Sequence, residues 1–157
     1  MSYFRDLELC RYHSGPFDSS NWNCPLLSIG WLERTEDYVQ ENFDHREIVK
    51  TISLLRNGFK RDFSGYNFRG LHACSLCKND EDLLLINSYV NLFIPSESCV
   101  FVAPGAIDHY ITEHMYKPPE EFLNALLRCP NPASSEYDDT LEKSNGGQSP
   151  PFQRNNW

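Results

Sequence analysis

The run VNLFIPSESCVFVAPGAIDHYITEH, Val90 to His114, decides the fold class. Val90 to Ile94 and Cys99 to Ala103 are short apolar stretches, rich in the β-branched and aromatic side chains that suit a pleated, half-buried surface. Between them Pro95-Ser96-Glu97-Ser98 is a polar, hairpin-like connection. Pro104 then fixes its own φ just inside a helix start. Ile107, Tyr110, Ile111 and His114 recur along one stripe of that helix, which runs to about His114. Strand, turn, strand and amphipathic helix in direct succession predict an α+β arrangement.

Further strands are expected on the N-terminal side. Leu27, Ile29 and Trp31 alternate within Leu26 to Leu32, and Tyr66 to Leu71 and Leu83 to Ile86 have strand composition. Asp44-His45-Arg46-Glu47 has capping-box spacing. It opens a helix carrying Ile48, Val49, Ile52 and Leu55 at helical intervals, with Gly58 as its expected end. Downstream, Pro118-Pro119-Glu120-Glu121 starts another helix with acids in the first turn, where they meet the helix dipole favourably. Phe122, Leu123, Leu126 and Leu127 form its apolar face, and Pro130 stops it. Residues 134–142 can add one short helical turn. The expectation is α+β: a small antiparallel sheet with two or three helices packed on one face.

At 157 residues the chain has the length of one ordinary domain. Residues 1–142 read as that domain. From 143 to 157 the sequence is dense in Pro, Gly, Asn and Ser, cannot bury enough apolar surface to offset its ordering entropy, and reads as a disordered tail. Net charge is −8 and the pI near 5.0. Such a protein repels nucleic acid and anionic membranes, so neither is an expected partner, whereas a basic protein is. No run reaches the roughly 18 apolar residues a span needs, and no secretory signal is visible at the start. The reading is therefore cytoplasmic. In a reducing compartment, cysteines serve as packing residues, metal ligands or nucleophiles more often than as disulfides. Cys10, Cys24, Cys99 and Cys129 stand alone and read as small buried apolar residues.

The chemistry-bearing cluster is His72-Ala73-Cys74-Ser75-Leu76-Cys77. A C-x-x-C turn lets two thiolates converge on one ion, and His72 can add a third donor. His13, His109, His114 and the isolated cysteines remain for the fourth. His109 and His114 are five positions apart, about 140° around a regular helix, so the expectation is that only one faces a common ion. His114 lies on the apolar stripe and is the candidate; its bland alternative is a helix-end histidine bonding a terminal carbonyl. The expected metal set is thus His72, Cys74, Cys77 and His114, holding zinc. The alternatives are buried thiols with no metal and a redox pair. The redox reading is disfavoured because Asn79-Asp80-Glu81-Asp82 follows the pair and raises its thiol pKa, where a redox motif opens a helix that lowers it.

No H-x-E starts at His13, His72 or His109, and H-E-x-x-H, G-x-S-x-G, the P-loop and the dinucleotide fingerprint are all missing. Arg56, Lys60, Arg61 and Arg69 interleave with Phe59, Phe63, Tyr66 and Phe68, as on surfaces that bind single-stranded RNA. In so acidic a chain, aromatics turned inward and cations outward explain them better.

Three motifs together resemble a family of small uncharacterised bacterial proteins. They are Gly30-Trp31-Leu32-Glu33, the stretch from Phe68 to Cys77 (FRGxHxCxLC), and the stretch from Ala103 to Phe122 (APxxIxHYIxxHxYxPPxxF). The resemblance covers roughly residues 12–142. It implies a bacterial cytosolic protein and supports the helix placement, and it brings no activity, substrate or catalytic residue.

The functional expectation is a non-enzymatic binding protein with a structural zinc cluster. Its partner is a basic protein, as for a toxin's immunity protein. The alternative is a zinc-dependent hydrolase, with Asp108 or Glu113 as the carboxylate beside an open coordination position.

Overall fold

A computed structural model describes residues 3–10, 19–62, 73–77 and 90–151. Three strands form the sheet: β1 (Leu26–Ser28), β2 (Asn91–Pro95) and β3 (Val100–Pro104), in the order β1-β3-β2. Four helices accompany them: α1 (Arg46–Asp62), α2 (Ile107–His114), α3 (Glu120–Arg128) and α4 (Ser135–Ser144). The expected α+β class holds.

The sheet is mixed rather than antiparallel throughout. β2 and β3 form the expected hairpin, with Phe93 opposite Val102, but β1 runs parallel to β3, with Leu27 beside Phe101. A long excursion through α1 separates β1 from β3, and such a connection can return a strand in the parallel sense. Every residue of β2 and β3 is buried, so this hairpin is the centre of the core and not an amphipathic surface. The outer edge of β1 is covered by residues 7–10. Ser28 N donates to Glu8 O at 2.9 Å, and Leu7 N and Cys10 N donate to Ser28 O and Leu26 O, each at 2.8 Å.

β1 is shorter than its alternating pattern suggested. At Gly30 the backbone turns to φ +73°, and an added Cβ would lie 2.8 Å from Ile107 Cδ1. Glycine is needed there on both counts. The close approach seats the first residue of α2 against the end of the strand. Trp31, fully buried, still faces the core and donates from Nε1 to Val102 O at 2.9 Å.

Gly58 does not end its helix, which continues to Asp62. A Cβ at Gly58 would meet the ring of Pro132 at 3.1 Å, so the glycine serves a close packing contact and not a cap. The expected turn at 134–142 is a full helix, α4, capped by Ser134 through Tyr137 N. Tyr137 pins it to the sheet, donating its hydroxyl to Phe93 O at 2.8 Å.

Helix α4 runs on to Ser144. Ser144 and Asn145 are buried. Ser144 Oγ donates to Ser96 O in the β2–β3 turn, and Asn145 Oδ1 accepts from Asn23 N at 2.7 Å. The strands expected at 66–71 and 83–86, and residues 152–157, lie outside the described residues.

Candidate metal centre

α2 is held at both ends, and this sets the site. At its start Arg56, reaching across from α1, pairs with Asp108 at 2.7 Å and donates to Gly105 O at 2.7 Å. Both side chains of that pair are largely buried, at 13% and 17% exposure. At its end His114 is the last helical residue, and Met115 turns left-handed at φ 56°. The Tyr38 hydroxyl donates to His114 O at 3.2 Å, and Tyr116 N donates to Tyr110 O at 3.1 Å, which closes the helix.

Against the last turns of α2 lies the segment Ala73 to Cys77. Its Cys77 carbonyl accepts from Arg34 Nη2 at 3.0 Å, tying this turn to the chain after β1. Cys74 is buried and Cys77 half-buried. The two sulfurs and the Nε2 atoms of His109 and His114 all lie within 4.8 Å of one another. Cys74 Sγ is 3.4 Å from His114 Nε2, Cys77 Sγ is 3.4 Å from His109 Nε2, and Cys77 Sγ is 3.5 Å from His114 Nε2.

These distances can be set against an ion. With zinc bonded to sulfur at about 2.3 Å and to imidazole nitrogen at about 2.05 Å, a tetrahedron has sulfur–nitrogen edges of about 3.5–3.6 Å. The three contacts fall within about 0.2 Å of that edge. Hydrogen bonding explains them less well. Nε2 of His114 carries at most one hydrogen, and it cannot point squarely at two sulfurs 3.4 and 3.5 Å away. Two thiols and two imidazoles are the donor set of a closed structural zinc site. The residues present fit the ion.

The electrostatics agree. Burial lowers the pKa of His109, and burial together with the neighbouring His109 lowers that of His114. Both rings therefore favour the neutral form in which imidazole binds metal. Their centroids are 5.1 Å apart and their planes inclined at 72°, as two ligands approaching one point from different directions require. Beside them Tyr110 stays protonated: burial raises its hydroxyl pKa, with further contributions from Cys74, Glu33 and Cys77.

Of the expected ligands, Cys74, Cys77 and His114 come together, and His72 lies outside the described residues. The expectation that His109 and His114 cannot share an ion is overturned. The angle between two Cα positions does not fix where the ends of two long side chains meet, and His114 sits at a helix end where the backbone already departs from regular geometry. A readable signal was present. C-x-x-C followed by H-x4-H is the ligand spacing of Cys2His2 zinc sites.

The other candidates lie elsewhere. Asp108 is committed to Arg56, and Glu113 is exposed on the surface of α2. Arg56 is an ion-pair residue and Phe59 a core residue, so this part of the basic–aromatic run belongs to packing. His13, Phe63, Tyr66, Phe68 and Arg69 lie outside the described residues, as does the side chain of Arg61. Among the described residues no helix is long and apolar enough to cross a membrane.

The sequence model of a family described as Domain of unknown function (DUF7919) matches residues 2–127. No curated protein matches the chain, and no solved structure does.

Proposed function

The chain belongs to the DUF7919 family, and we propose that it is a non-enzymatic binding protein whose Cys74, Cys77, His109 and His114 hold a structural zinc ion. The observation that carries this reading is the count of donors. Four protein donor atoms lie within 4.8 Å of one another, and three sulfur–nitrogen separations, of 3.4, 3.4 and 3.5 Å, match a tetrahedral edge. A hydrolytic zinc keeps one position for water and needs a carboxylate nearby to take its proton. Here the fourth position is taken by imidazole, Asp108 is neutralised by Arg56, and Glu113 is exposed at the surface. The zinc-dependent hydrolase is therefore the lesser reading.

The ion joins two parts of the chain that are otherwise remote: the turn at Cys74 to Cys77 and the end of α2. Since both thiolates and both neutral imidazoles must be assembled together, binding free energy becomes folding free energy. On this reading the metal stiffens the protein's surface and leaves its recognition to exposed side chains. The partner is a basic protein, complementary to a net charge of −8, and an immunity-type protein of the bacterial cytoplasm is one form this takes. Metal analysis of untagged protein tests the reading. One zinc per chain, reduced to a small fraction by Cys74→Ser or His114→Ala, supports it; a full complement of zinc in both variants refutes it.

A further inference from the structure

Immediately after the metal centre the chain forms a two-stranded ribbon. Gln40 and Tyr116 pair antiparallel; Glu41 N donates to Met115 O and Lys117 N to Val39 O, each at 3.0 Å. In such a pair successive side chains alternate between faces, and residues opposite one another share a face. Tyr116 is fully buried and donates its hydroxyl to Asp6 Oδ2 at 2.9 Å, while Gln40 Nε2 donates to the Tyr38 hydroxyl at 2.8 Å. Tyr116 thus faces the core, while Val39, Glu41 and Met115 are exposed beside it and Lys117 is half-buried over the Phe43 ring.

Val39 and Met115 are 60% and 51% exposed, among the most exposed large apolar side chains of the described residues. Met115 is also one of two described non-glycine residues at positive φ, a conformation that costs free energy and is held by its surroundings. The charges around the pair have one sign. Glu41 N donates to Met115 O, and Glu36, Asp37, Glu41 and Glu113 are all exposed within three positions of Val39 or Met115. The cations nearby are occupied. Lys117 Nζ sits 4.1 Å over the Phe43 ring and 3.8 Å from Glu120, Arg46 pairs with Asp44 at 2.8 Å, and Arg34 donates to Cys77 O. The carbonyl end of α2, at His114, adds partial negative charge to the same place.

We infer that the Val39–Met115 ribbon is the docking surface of this protein, and that its occupant is a lysine- or arginine-rich polypeptide segment carrying an apolar side chain. The inference deepens the binding-protein reading by locating its surface. The apolar side chain sits between Val39 and Met115, and the cations meet Asp37, Glu41 and Glu113. Because Met115 follows the ligand His114, the ion and the docking surface share one turn of backbone.

The test uses the zinc-loaded full chain and a short labelled peptide of alternating lysine and leucine, with a glutamate–leucine peptide as control. The lysine–leucine peptide binds the parent chain, and adding salt weakens it, as screening requires. The double variant Val39→Ser, Met115→Ser loses about tenfold or more in affinity. Glu41→Lys also weakens binding and reduces the salt dependence. Both sites are exposed, so the variants keep the fold and their zinc. Unchanged affinity in the double variant, equal binding of the glutamate–leucine peptide, or no binding by the parent chain overturns the inference. The two readings fail separately: a zinc-loaded chain that ignores the peptide removes the surface alone, and a metal-free chain that binds it removes the ion alone.

Discussion

Cys77 and His109, 32 positions apart in the chain, bring Sγ and Nε2 to 3.4 Å. That single contact turns a lone C-x-x-C into one half of a four-donor site, and it ranks the histidines. His109→Ala, like Cys77→Ser, removes a ligand and takes zinc content from one per chain to a small fraction. His72→Ala leaves it near one. Measuring zinc in the purified variants checks this, and loss of zinc in the His72 variant with retention in the His109 variant reverses the assignment.

Chelation measures what the ion contributes to stability. A site loaded at about a thousand times its dissociation constant stabilises the fold by about 4 kcal/mol. For a chain of this size that corresponds to a fall in Tm of about 8–16 °C on stripping the metal. Thermal melts with and without a zinc chelator should show this, with recovery on adding zinc back. An unchanged Tm on complete removal of the ion denies it a structural role.

Arg56 and Asp108 form a largely buried ion pair that also satisfies Gly105 O. Arg56→Ala leaves Gly105 O without this donor and the Asp108 carboxylate without its countercharge, with only His109 N still donating to it at 3.0 Å, a loss of about 3 kcal/mol. The urea midpoint should fall accordingly. A loss below about 0.5 kcal/mol shows the pair to be no better than an exposed one.

Asp6 sets a pH dependence. Its carboxylate accepts from Gly30 N at 2.9 Å and from the Tyr116 hydroxyl at 2.9 Å, yet burial outweighs both bonds and raises its pKa above 3.8. The folded state thus holds this proton more tightly than the unfolded one. The stability it contributes is fully present below the unfolded pKa and is lost as pH rises through the folded value. In Asp6→Asn the amide oxygen can accept from Gly30, the amide nitrogen can donate to the Tyr116 oxygen, and nothing titrates. The variant should gain stability relative to the parent as pH rises above about 4. Parallel stability curves for the two proteins contradict this.

What the sequence disclosed follows from how local each determinant is. The hairpin and α2 were legible because Val90 to His114 carries its own apolar runs, turn and proline. The parallel pairing of β1 was not, since nothing within Leu26 to Ser28 records which neighbour the strand joins or in what sense. Gly58 has the look of a helix end, and only the ring of Pro132, from the loop before α4, shows why it stands inside one. Ser144 and Asn145 read as tail because their partners, Ser96 and Asn23, lie in distant turns. At the site, the thiol pair was legible from spacing. His109 is legible from the H-x4-H interval but not from rotation about an ideal helix axis, which turns it away from His114.

X-ray absorption at the zinc edge of untagged, full-length protein tests the central claim most directly. The account predicts about one zinc per chain with two sulfurs at about 2.3 Å and two imidazole nitrogens at about 2.0–2.1 Å. A shell containing a water or carboxylate oxygen in place of one nitrogen, or less than about 0.2 zinc per chain, contradicts it.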